Sequence, residues 1–197
     1  LDHPRIVGLL DLATPASGNY IVMDYVAGRS LDRYVRERGL PLADRLRLFA
    51  IVCEAVSAAH QRGVIHRDLK PGNILVDEAG RPRILDFGLA KSHDDSSDDG
   101  ATAVTATGQF VGSLPWASPE QARGRHAEVD VRSDVYSLGV ILYQLITDRF
   151  PYPTAGDLGH VLNHIQNSAP IRPKSVSHGI DDDVEAIVLK CLSKEPD

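Results

Sequence analysis

Eight consecutive residues, His66-Arg67-Asp68-Leu69-Lys70-Pro71-Gly72-Asn73, bring together a carboxylate, two cations, an imidazole and a carboxamide. Pro71 lacks an N–H and Gly72 carries a high backbone entropy, so no regular helix is expected to run through them. An apolar, helix-like stretch precedes the segment, and the strand-like Ile74-Leu75-Val76 follows it directly. A polar loop pinned between two apolar elements is a common way to place catalytic groups. A solvated turn has little need of His, Arg, Asp, Lys and Asn together. The segment reads as a catalytic loop.

The elements that must hold this loop follow from hydrophobic periodicity. Residues 43–62 form the first long helix, with Leu46, Phe49, Ile51, Val52, Ala55, Val56 and Ala59 around most of its circumference and Gly63 ending it. Residues 74–76 and 83–85 pair through a turn at 77–80, a hairpin with the polar loop at one end and Asp86-Phe87-Gly88 at the other. Upstream, an apolar run at 6–12, a hairpin loop at 15–19 and a buried strand at 20–23 lead into a linker at 24–29. A short helix at 31–37 then stops at Gly39. Downstream, 91–111 is rich in Asp, Ser and Thr with little to bury, which predicts mobility. A helical turn at 119–124 precedes a helix at 134–147 that is apolar on nearly all sides, the expected centre of the core. Two amphipathic helices, 158–166 and 181–192, complete the chain, with Asp181 as N-cap of the second. The predicted class is α+β with helix dominant.

Composition narrows the function. The chain has 197 residues, 43% hydrophobic and 24% charged, ordinary values for a soluble globular domain. A net charge of −6 argues against general nucleic-acid binding, which needs a basic surface. No run approaches the roughly 18 to 20 apolar residues of a membrane span. The most apolar stretch, 135–146, is interrupted by Tyr136, Ser137, Gly139 and Gln144. No secretory or lipidation signal opens the sequence. Cys53 and Cys191 read as buried free thiols of a reducing compartment. The eight histidines show no metal-ligand spacing such as HExxH.

The motifs resemble those of the protein kinase superfamily. His66-Arg67-Asp68 with Asn73 five residues after the aspartate, then Asp86-Phe87-Gly88, is similar to its H-R-D-L-x-x-x-N and D-F-G signatures. Ser118-Pro119-Glu120 stands where the family has A-P-E, and Asp134-Val135-Tyr136-Ser137-Leu138-Gly139 resembles its core-helix D-x-x-S-x-G. Four motifs in order and at the right spacing cover essentially the whole chain. Lys70, two residues after Asp68, looks like the serine/threonine branch. Thr105-Ala106-Thr107 ahead of Gly112-Ser113, and Pro119 to Gly124, resemble bacterial receptor-type serine/threonine kinases.

That resemblance implies transfer of the ATP γ-phosphoryl group to serine or threonine hydroxyls of protein substrates, with Mg²⁺ (or Mn²⁺) as the metal. Asp68 is expected to orient the substrate hydroxyl, Lys70 to face the migrating phosphoryl group, and Asn73 and Asp86 to ligate the metal. His66, Phe87 and Gly88 are expected to support the loop by packing, and Asp134 to accept hydrogen bonds from its backbone. Ser113 takes the usual threonine's place against Asp68 and Lys70, and Glu120 awaits an arginine beyond Asp197. Arg67 implies control by phosphorylation, with Thr105 and Thr107 as the candidates. Residues 24–29 resemble the hinge: Met23 is the gatekeeper, the backbones of Asp24 and Val26 meet adenine, Ser30 lies near the ribose, and Leu75 lies under the ring with Ile74 and Val76 behind it.

The same resemblance divides the chain into an N-lobe remnant at 1–23, the hinge, and a C-lobe at 30–197. No glycine-rich loop, V-A-I-K lysine or partner glutamate occurs in the sequence. A chain truncated at both ends, inactive in isolation, is therefore expected. The alternative is a pseudokinase or docking module that binds partners without turnover. The kinase domain is expected in the cytoplasm, with any membrane attachment supplied by segments outside this chain.

Overall fold

The computed structural model describes residues 3–13, 20–87, 103–104, 110–111 and 113–195. Its class is α+β with helix dominant. The chain divides into two compact units, one of Leu1–Val64 with Pro71–Leu89, the other of Ile65–Lys70 with Ala90–Asp197.

In the first unit β1 (Leu9–Ala13) pairs antiparallel with β2 (Tyr20–Met23), the register slipping between Leu9 and Asp11. Val22 of β2 stays 43% exposed, because a two-stranded ribbon cannot cover both its faces. The expectation of a buried strand there is corrected accordingly. The segment read as a linker contains β3 (Gly28–Ser30), which pairs antiparallel with β4 (Ile74–Asp77), and β4 pairs with β5 (Pro82–Ile84). Three residues show no alternation, so β3 is made by its partner rather than by its own pattern. Gly28 is required there, since a Cβ would stand 2.7 Å from the Val76 carbonyl oxygen. Ile74, Val76 and Ile84 are fully buried, and Val7 N and Ile84 N exchange bonds with Ile84 O and Arg5 O at 2.9 and 2.8 Å.

Helix α1 (Leu31–Arg38) buries Leu31, Tyr34 and Val35, and ends at Gly39 in the left-handed region, φ +57°. Helix α2 (Leu42–His60) buries Leu48, Phe49, Val52, Ala55, Val56 and Ala59 along one stripe. Leu46 and Ile51 are only half-buried, so its apolar face is narrower than the sequence suggests.

The second unit is built on α4 (Val131–Thr147). It starts three residues ahead of the expected Asp134, because the Asp130 carboxylate caps it by accepting from Arg132 N at 2.8 Å. From Ser133 to Thr147 every residue except Val135 and Gln144 is buried. Around it stand α3 (Pro119–Ala122), α5 (Leu158–Asn167), α6 (Pro173–Val176) and α7 (Asp182–Cys191). Asp181 caps α7 through Val184 N at 2.8 Å. Buried Glu185 holds the preceding segment by accepting from Lys174 N and Arg172 Nη2 at 3.0 and 2.5 Å. Neither cysteine forms a disulfide, and both are half-buried, less enclosed than expected. β6 (Ala103–Val104) and β7 (Phe110–Val111) pair antiparallel inside the stretch 91–111 expected to be mobile, the rest of which lies outside the described residues. Among the described residues no helix is long and apolar enough to cross a membrane.

Helix α7 crosses α4 at Gly139, where a Cβ would stand 2.6 Å from the Cβ of Cys191 and 3.3 Å from a Leu192 methyl. Both helices carry long buried faces, so neither yields easily. Gly139→Ala is expected to destabilise the protein by about 1–3 kcal/mol despite its better helix propensity, read as a lower urea midpoint.

Lys194 closes the C-terminal end of α5. Its ammonium donates to the carbonyls of Ile165 and His164 at 2.5 and 3.4 Å and to the Tyr136 hydroxyl at 3.2 Å, and lies 3.9 Å over the Tyr152 ring. Burial, aided by the Arg123 charge, pushes the amine down to about 7. The unfolded chain keeps this proton to about pH 10. Between those limits the unfolded form binds more protons, so this group makes stability rise with pH from about 7 to about 10, and contributes no slope below. Urea melts of the protein and Lys194→Met across that range are expected to show the slope only in the former.

Candidate active site

The loop at residues 65–70 is fixed from α4. The Asp134 carboxylate is fully buried, and its two oxygens accept from the backbone N–H groups of His66 and Arg67, each at 2.8 Å. A carboxylate removed from water needs such partners, and two consecutive amides aimed at one acceptor require a turned backbone. Arg67 accordingly has φ +70°, in the left-handed region. Buried His66 accepts from Asp68 N on Nδ1 at 3.3 Å, which assigns the ring proton to Nε2.

A further tie comes from α3. Ser118 and Gln121 form a capping box, and the Gln121 amide also donates to the Arg67 carbonyl at 2.7 Å. Sequence reasoning assigned Gln121 no role, although the S-x-x-Q spacing at 118–121 signals the cap. Ser137 and Gln144 of α4 were also missed. Ser137 Oγ donates to the Trp116 carbonyl at 2.8 Å, and Gln144 Oε1 accepts from the Trp116 indole at 2.6 Å. Trp116 meets Phe150 edge-on with centroids 5.4 Å apart. These contacts hold the 3₁₀ turn Leu114–Trp116, and with it Ser113 just before.

The loop's polar groups converge on Lys70. Its ammonium donates to Asp68 Oδ2 at 2.8 Å and to Ser113 Oγ at 2.6 Å. The Asp68 and Lys70 side chains are 39% and 28% exposed, so the pair is anchored yet open to an incoming group. A carboxylate fixed beside an ammonium can orient a hydroxyl while the cation meets developing negative charge. Glu120, buried on α3, accepts from the Ser133 hydroxyl and borders a cavity of about 180 Å³ with Arg132, Val135, Tyr136 and Cys191.

The other predicted site residues belong to the first unit. Asn73 is buried at the end of the 3₁₀ turn Pro71–Asn73, a single tight turn where no regular helix was expected, and its carbonyl accepts from Leu85 N at 2.9 Å. That bond sets Asn73 beside the segment carrying half-buried Asp86, whose φ is +61°. Their side chains offer two oxygen donors, a carboxamide and a carboxylate, which suit a hard divalent cation that completes its shell with water and phosphate. Phe87 is half-buried. Ser30 and Leu75 face one another as register partners of β3 and β4. Leu75 points away from the buried side of Ile74 and Val76, so of the three only Leu75 is half-open. Ser30 Oγ donates to Asp32 at 2.6 Å. Met23 and Val26 are half-buried and Asp24 is exposed. Gly88, Thr105 and Thr107 lie outside the described residues.

The profile of the protein kinase domain matches residues 1–197. The chain belongs to the protein kinase domain family. It is 39% identical over 202 aligned residues to the serine/threonine-protein kinase PknB of Mycobacterium leprae, covering all of this chain and 31% of that protein. It is 37% identical over 197 residues to the serine/threonine-protein kinase PrkC of Bacillus subtilis, covering 100% of this chain and 29% of that one. The chain thus spans under a third of the length of these curated relatives.

Replacing Asp134 by Asn would put an amide donor where a backbone N–H now finds an acceptor. Asp134→Asn is expected to cost about 1–3 kcal/mol, measured by equilibrium urea unfolding.

Proposed function

We propose that the protein carrying this domain transfers the γ-phosphoryl group of ATP to serine or threonine hydroxyls of protein substrates. The observation that carries the reading is the Asp68–Lys70–Ser113 cluster on a loop clamped by Asp134. In such a transfer little bond-making is left to the protein, and catalysis is mainly positioning and electrostatic stabilisation. Asp68 holds the substrate hydroxyl in line and receives its proton. Lys70, kept in place by Asp68 and Ser113, meets the charge on the phosphoryl oxygens. Asn73 and Asp86 are the residues that would hold Mg²⁺, with Mn²⁺ as a substitute. Bound there, the ion neutralises charge on the ATP phosphates.

Met23, Asp24, Val26, Ser30 and Leu75 form the proposed nucleotide-binding set, with Leu75 as the apolar floor. His66, Phe87, Gly88, Glu120 and Asp134 support the loop and the metal-side segment. Arg67 is the proposed receiver of a phosphate placed on Thr105 or Thr107, since a guanidinium grips phosphate oxygens in pairs. No glycine-rich phosphate-loop motif occurs in the sequence, and the chain spans under a third of its relatives' length, so the activity is proposed for the protein carrying this domain. The domain itself is assigned to the cytoplasm, residues 1–23 to the N-lobe, 24–29 to the hinge and 30–197 to the C-lobe.

The test is full-length protein with radiolabelled Mg-ATP. The unaltered protein is expected to phosphorylate itself, with phosphopeptides mapping to Thr105 and Thr107, and Asp68→Asn to lower the rate at least about a hundredfold. Undiminished labelling in Asp68→Asn would remove the role given to that carboxylate.

A further inference from the structure

Helix α5 carries a histidine pair that the proposed reaction does not use. His160 and His164 stand one turn apart, the separation that places two side chains on the same face of a helix. Their Nε2 atoms are 3.0 Å apart, with the rings at 87° and centroids 4.5 Å apart. Two ring lone pairs cannot face each other at that distance, so one ring must carry a proton between them. The pair therefore competes for a single electrophile.

His164 is also held from behind. Its Nδ1 lies 2.9 Å from Ser168 Oγ. A hydroxyl can accept as well as donate, so it serves the tautomer with hydrogen on Nδ1 and a free lone pair on Nε2. That is the arrangement of a metal-bound histidine, whose second nitrogen is oriented by an outer partner. His160 is exposed, and its backbone N–H donates to the Asp157 cap at 2.9 Å.

We propose that His160 and His164 form a surface site for a borderline divalent transition metal, Cu²⁺ or Ni²⁺ in preference to Zn²⁺. Metal–nitrogen bonds of about 2.05 Å closing on the present separation subtend about 94° at the metal, against about 109° for a tetrahedral ion. An angle near 90° suits two adjacent positions of a square-planar or tetragonal ion. Binding takes two neutral imidazoles: on the ring that carries the shared proton the Nε2–H bond breaks and an Nδ1–H bond forms through solvent, so the proton count is unchanged and no electron is transferred. Among the described residues no third His, Cys, Asp or Glu completes the set, so water fills the remaining positions. The ion would bridge successive turns of α5 and stabilise the folded state by mass action. The H-x₃-H spacing is present in the sequence at His160-Val161-Leu162-Asn163-His164, without the glutamate of HExxH.

The test is calorimetric titration of the whole chain with Cu²⁺ and Ni²⁺, compared with His160→Gln, His164→Gln and Ser168→Ala. Either glutamine variant is expected to lose the tightest site, and Ser168→Ala to weaken it by about tenfold. Thermal melts are expected to shift upward with Ni²⁺ in the unaltered protein, less in Ser168→Ala and not in either glutamine variant, and excess Mg²⁺ is not expected to compete, since it prefers oxygen ligands. Equal affinity in the unaltered protein and both glutamine variants, or no saturable binding, would overturn the proposal.

Discussion

One buried carboxylate organises the second unit. Asp134 is fully enclosed, and the two backbone amides it accepts from belong to the loop that carries Asp68 and Lys70. A charge buried this way is stable only while both amides stay aimed at it, and the amides stay there only while the loop keeps its turn. Loop and helix therefore specify each other. The conformation of residues 65–70 is set less by their own propensities than by one acceptor on α4.

Helix α4 extends that control along its length. Ser133 reaches Glu120, Asp134 the loop, Ser137 the Trp116 carbonyl and Gln144 the Trp116 indole. Of these polar side chains Ser133, Asp134 and Ser137 are themselves buried, on a helix whose other residues are almost all buried too. The helix acts as a rigid post because α7 packs so closely on it at Gly139. A site built on such an element keeps its geometry better than one carried by loops alone.

Much of this was legible in the sequence, and the failures have physical reasons. The longer helices were read within a few residues, because each has an apolar stripe and most have a recognisable cap, as with Gly39 and Asp181, whereas the four-residue α6, which buries only Pro173, was missed. The start of α4 was placed late because Asp130 and Asp134 both suit a helix N-terminus, and only the structure separates the cap from the buried acceptor. β3 and the exposure of Val22 were missed because they depend on what lies alongside, which a local pattern does not encode. The loop residues stood out by type, whereas Gln121 and Gln144 look like ordinary surface amides. Their importance comes from where the fold carries their donors and acceptors.

The backbone shows where this order is under strain. Arg67 and Asp86 both have positive φ, although neither is glycine, and such conformations cost of order 1–3 kcal/mol each. Arg67 is held by Asp134 on its N–H and Gln121 on its carbonyl. Asp86 follows Leu85, whose N–H is fixed to the Asn73 carbonyl. Relaxing Arg67 would leave the Asp134 carboxylate short of an amide, a larger loss than the strain. Glycine would remove the strain at either position, but it would also remove the guanidinium or the carboxylate. The sequence thus keeps a charged side chain where the backbone alone would favour none. That choice makes sense if the side chains, rather than the turns, are what the fold is built to present.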